Sequence, residues 1–176
     1  MLRPLLVLVC LALLPHTAFA EPAAPRPGGP RVRAQDGRIA RLIADGLKRS
    51  PTLRALVDRI EASNVIVYVG GNPLMKSHLS GALSFVVTAG NFRYVRAMIN
   101  TDQLPDPIIS TLAHEFQHVV EVIDEPSVVD DDSLVRLYRR IGVSSRERPN
   151  AGWETLAAQA MGAQVRRELL LRVART

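Results

Sequence analysis

His114-Glu115-Phe116-Gln117-His118 decides how the rest of this chain is read. On a helix of about 3.6 residues per turn, residues i and i+4 stand one above the other, so two imidazoles placed there can grip one metal ion. Glu115 follows the first histidine and can take a proton from a water held beside it. Only four histidines occur in 176 residues, so chance seldom sets two of them at this spacing around a glutamate.

The flanks supply a helix for the motif. Pro105-Asp106-Pro107 offers a capping aspartate and a proline at the first helical position, which predicts a helix from Asp106 to about Asp124, before Pro126. Ile108, Leu112, Phe116, Val119 and Ile123 spread apolar surface around most of its circumference, as in a helix enclosed by protein. Thr111, His114, His118, Glu121 and Glu125 form its one polar stripe. Ionisable groups on a buried helix need a metal, a partner or a cleft, because uncompensated burial is costly. A single histidine there would read as a core residue bonded to a carboxylate or carbonyl; the pair around Glu115 favours a metal.

A catalytic zinc takes three protein ligands and leaves a fourth position to water. Glu154 is the third ligand this reading selects, 154 − 118 = 36 residues after His118, near the start of a helical stretch from Ala151 to about Ala174. It heads a stripe with Ala157, Ala158, Met161, Val165 and Leu169, while Thr155, Gln159, Arg166 and Arg167 fall on another side. A solvent-facing glutamate favoured by the helix dipole is the alternative for the same residue. Glu121 shares the histidine face, but about 10.5 Å of helical rise from His114 suits it better to holding an imidazole N–H than to ligation. Asp124 sits at the third-ligand place of the extended motif, with Glu121 where a glycine would have to turn the chain. His78, following Gly70-Gly71-Asn72-Pro73, reads as a solvated loop histidine, with a metal or substrate contact as the sharper alternative.

These residues resemble the zincin metallopeptidases, and within them the gluzincin branch, in which a glutamate from a later helix completes the site. The resemblance covers Asp106 to Met161. It implies Zn2+ held by His114, His118 and Glu154, Glu115 as general base, and a peptide or protein as substrate. Such enzymes commonly add an oxyanion donor, for which Tyr138 and Tyr94 are available. The expectation is a secreted zinc-dependent hydrolase that cleaves peptide bonds. The alternatives are a catalytically inactive zincin-like envelope module that binds or supports, and a metal-free helical domain.

Residues 1–20 combine a basic start, an apolar run from Leu5 to Leu14 and Ala18-Phe19-Ala20, the pattern of a cleavable signal peptide for a secreted or periplasmic protein. The run is too short for a convincing membrane span, so no stable membrane insertion is expected after its removal. Cys10, the chain's one cysteine, lies in it, which leaves no disulfide to frame the fold. Residues 21–35, rich in Pro, Gly and Arg, read as a flexible leader, and 36–176 as a single zincin-like domain.

Helical spacing from Arg38 to Arg49 and from Pro51 to Ala62 precedes three β-rich runs, Val65 to Val69, Ala82 to Thr88 and Phe92 to Ile99. Ala89-Gly90-Asn91 joins the last two as a hairpin. Asp130 to Arg140, closed by Gly142, is a further helix, and Asp130-Asp131-Asp132 reads as its cap rather than a calcium site. The expected class is α+β, with a small antiparallel sheet beside the buried motif helix and further helices C-terminal to it. The strand carrying Arg93, Tyr94 and Arg96 is the expected sheet edge for a substrate peptide. The net charge of +5 comes without an aromatic-interleaved basic run, so no nucleic acid partner is expected.

Overall fold

The computed structural model describes residues 29–76, 79–143 and 154–173. In chain order the elements are β1 (Val32–Ala34), α1 (Gly37–Arg49), α2 (Pro51–Glu61), β2 (Val65–Gly71), β3 (Gly81–Ala89), β4 (Phe92–Ile99), α3 (Pro105–Asp124), α4 (Asp131–Ile141) and α5 (Leu156–Val173). The class is α+β. The expected signal peptide, His78 and Trp153 lie outside the described residues.

The sheet is mixed rather than antiparallel: its order is β1-β2-β4-β3, with β1, β2 and β4 parallel and β3 antiparallel to β4. Burial explains the order. Val65, Val67 and Val69 of β2 and Val95, Ala97 and Ile99 of β4 are fully enclosed, whereas β3 alternates partly covered and exposed residues and so belongs at an edge. β3 and β1 are therefore the edges, and the strand with Arg93, Tyr94 and Arg96 is interior, which corrects the expected substrate edge. Gly90, at φ 56°, turns the β3–β4 hairpin in a backbone region that favours glycine.

Residue 32 already pairs with Val67, so β1 lies inside the stretch expected to be a flexible leader. A three-residue Val-Arg-Ala strand carries almost no apolar signal. It is held by the backbone ladder and by the Glu61 carboxylate, which accepts from the N–H groups of Arg31 and Val32 at 2.8 and 2.9 Å.

The motif helix α3 runs through the middle of the core, with Ile108, Ile109, Leu112, Phe116 and Val119 fully buried between the sheet, α1, α2 and α5. Pro105 rather than Pro107 opens it, and its N-cap Leu104 makes no side-chain cap bond. Asp106 instead binds Arg49 of α1 through two bonds, of 2.7 and 2.8 Å, so the expected cap is spent on a tertiary ion pair. At the far end, the buried Arg93 guanidinium donates to the carbonyls of Val122 and Glu125 at 2.7 and 2.9 Å, closing α3 from the sheet side. Asp130 caps α4 through a reciprocal bond pair with Ser133, as its sequence reading required. Among the described residues no helix is long and apolar enough to cross a membrane.

Candidate metal centre

His114 and His118 project from the same side of α3, their Nε2 atoms 3.2 Å apart. Glu154 reaches them from another element, with Oε2 3.5 Å from His114 Nε2. Glu154 is not on the final helix, which starts at Leu156. It stands just before it in extended backbone, bridged to the end of α4 by the Val143 N–H, which donates to its carbonyl at 2.8 Å. The helix is shorter at this end than expected because Thr155 caps it, accepting from the Ala158 N–H at 3.1 Å. Ala157, expected on the inward stripe, is exposed, while Ala158, Val165 and Leu169 are buried. Where α5 crosses α3, Ser110 donates to the Gly162 carbonyl at 2.9 Å, which brings the two helices together beside His114.

Glu121 lies one turn along α3 beside His118. His118 Nδ1–H donates to its Oε2 at 2.8 Å, which leaves the His118 Nε2 lone pair facing His114 Nε2. The other oxygen of Glu121 accepts the Thr155 hydroxyl at 2.5 Å. That hydroxyl already accepts from Ala158, so its one proton is committed to the carboxylate. Helical periodicity puts Thr155 on another side, but it precedes the helix as its cap and bonds Glu121. Its cap identity, a threonine ahead of a long helical run, was the available signal.

Asp124 is exposed and paired with Arg59, away from the histidines, which removes it as a ligand. Neither tyrosine is placed as an oxyanion donor. The buried Tyr138 hydroxyl donates to the His118 carbonyl at 3.4 Å while its ring meets the His118 ring edge-on. Tyr94 lies on the opposite face of the sheet, stacked on Tyr68.

Glu115 is 3% exposed, and its Oε2 has no hydrogen-bond partner. Desolvation pushes its carboxyl up to about 7, against the pull of His118 and His114 toward the ionised form. Burial opposes protonation of His114, yet the bond to Glu154 and the nearby carboxylates raise it on balance. For Glu154 burial favours the neutral acid, but the bond to His114 holds its carboxyl below the usual range. Gly81, the first residue of β3, packs directly on Glu115: a Cβ there would stand 2.8 Å from the carboxyl carbon and closer still to an oxygen.

Among the described residues, no group of three or more His, Cys, Asp and Glu side chains is gathered tightly enough to hold a metal ion as it stands. The contacts are pairwise, with His114 common to both. Their lengths nevertheless fit the donor set of zinc, because ligands bonded at about 2.0–2.1 Å in a tetrahedron stand about 3.3 Å from one another. Two imidazoles and a carboxylate, one imidazole braced by a second carboxylate, is the chemistry such a site uses. The chain matches no protein-family model, no curated protein and no solved structure.

Proposed function

We propose that this chain is an exported zinc-dependent metallopeptidase, with His114, His118 and Glu154 as the metal ligands and Glu115 as the general base. The observation that carries this reading is the approach of Glu154 to His114, at 3.5 Å, from a segment remote in sequence. When bound, zinc supplies a Lewis acid that acidifies water and polarises a carbonyl. Glu115, beside both histidines with one oxygen unpartnered, accepts the proton from water and passes it to the leaving amine. Glu121 and Thr155 hold the His118 tautomer and ring. An extended peptide adds to the free edge of β3, which starts at Gly81 against Glu115.

Elemental analysis of the purified protein tests the ligand set. The parent is expected to carry about one zinc per chain, lost in both His118→Ala and Glu154→Ala. Glu121→Gln is expected to keep the site but bind zinc about 10–100-fold more weakly in chelator competition. A parent without zinc sinks the reading. Zinc without turnover of any peptide library leads instead to the inactive envelope module.

Gly81 gives a sharper check on the base. Alanine there must push the Glu115 carboxylate aside, because the contact is with the carboxyl group itself. Gly81→Ala is expected to reduce kcat by about tenfold or more with zinc content unchanged. Unaltered kcat would show that Glu115 does not act from this position.

A further inference from the structure

The sheet has a second face, turned away from α3, that the proposed site does not use. Arg33, Tyr68, Arg96 and Ser84 are in register across the four strands, and Tyr94 lies in the neighbouring row. Arg31 precedes β1, and its backbone carbonyl accepts the Val67 N–H, which puts it in line with Arg33 on this side. Residues that are adjacent in neither sequence nor helix thus form one basic and aromatic surface. No outward position of the four strands carries an Asp or Glu. Glu61, at the margin beside β1, is occupied by the backbone N–H groups of Arg31 and Val32.

Two of the three arginines, Arg31 and Arg33, are held rather than loose. The Arg31 guanidinium lies 4.4 Å from the centre of the Phe92 ring, and that of Arg33 5.6 Å from the centre of the Tyr68 ring, with Nη1 donating to the tyrosine oxygen at 3.2 Å. Arg31 Nη1 is buried and has no acceptor among the described residues. Arg96 is exposed and enters no ion pair there. Guanidinium groups held over rings lose less freedom on pairing and keep N–H groups available to oxyanions.

We propose that this face is a docking surface for an extended acidic segment of a polypeptide. Charge complementarity selects an anion. Rings already covered by arginine, with Tyr94 buried beside them, leave no open aromatic face for a nucleobase, which disfavours nucleic acid. Phe92 and Ile66 are covered rather than protruding, which disfavours insertion into a membrane. Backbone spacing suits a peptide: Arg33 and Arg96 stand two strands apart, about 10 Å, and Arg31 and Arg33 two residues apart, about 7 Å. Carboxylates on alternate residues of an extended chain are spaced about 7 Å.

The surface is independent of the metal site, so its test does not depend on catalysis. The full-length chain is titrated against a fluorescent oligoglutamate peptide, an oligothymidylate and vesicles of phosphatidylcholine with phosphatidylserine. The peptide is expected to bind, more weakly as salt rises from about 50 to 200 mM. Arg33→Gln/Arg96→Gln is expected to weaken it by about tenfold, with His118→Ala unaffected. Arg96→Gln alone, at an exposed position, carries the same expectation at about threefold and covers the case in which the double variant misfolds. No peptide binding, binding indifferent to these arginines, or tighter binding to oligothymidylate or vesicles would overturn the proposal.

Discussion

Glu115→Gln is expected to abolish peptide hydrolysis, lowering kcat by about 10²–10⁴-fold, while zinc content and fold are retained. The glutamine keeps the shape of the side chain beside the histidines and removes its capacity to accept a proton. The same substitution has a second, thermodynamic signature. The folded chain holds the Glu115 proton up to about pH 7, whereas a solvated glutamate in an unfolded chain gives it up near 4.5. A carboxyl raised in this way contributes its full stability below the unfolded value and loses it as pH rises through the folded one. The difference amounts to about 3 kcal/mol. Chelator-treated wild-type protein should therefore lose this much stability, relative to Glu115→Gln, as pH rises from about 4.5 to about 7. Denaturant melts of both proteins across that interval check the sign; parallel pH profiles would mean that Glu115 is not held desolvated.

Arg93→Met is expected to destabilise the fold by about 3–5 kcal/mol, the largest stability effect among the substitutions considered. Arg93 is 5% exposed on the interior strand β4. It bonds the Val122 and Glu125 carbonyls and the Asn64 side-chain oxygen, the last at 2.9 Å, with a longer contact to the Val128 carbonyl. Desolvation pulls its pKa down, and the carbonyls at the end of α3 compensate for the buried charge. Methionine fills similar volume but leaves those carbonyls buried without a donor. Arg59→Ala, which breaks the exposed pair with Asp124, provides the control and should cost less than about 1 kcal/mol. Urea midpoints of the two variants check the contrast. Equal midpoints would show that α3 closes without Arg93.

Much of the secondary structure could be read from the chain, because the signals are local. Ser50 and Pro51 open α2, Gly90 turns the hairpin and Asp130 caps α4. Expectations failed where a long-range contact claimed a residue with a local signal of its own. Asp106 looked like a cap and became a partner of Arg49; Thr155 looked like one side of a helix and became both its cap and a partner of Glu121.

By itself the sequence determined that His114, Glu115 and His118 share one helical neighbourhood, since a period of about 3.6 residues admits no other arrangement once the helix forms. It also determined that Glu121 lies on the histidine side of that helix. Only the tertiary structure decided that Glu154 comes to His114, that β3 and not β4 forms a free edge, and that Gly81 closes on Glu115. It likewise decided that Arg31, Arg33 and Arg96 meet on one face. The physical reason is range. A helix fixes neighbours three and four residues apart by backbone geometry, whereas strand order and the approach of Glu154 depend on loop closure and on burial summed over the whole core.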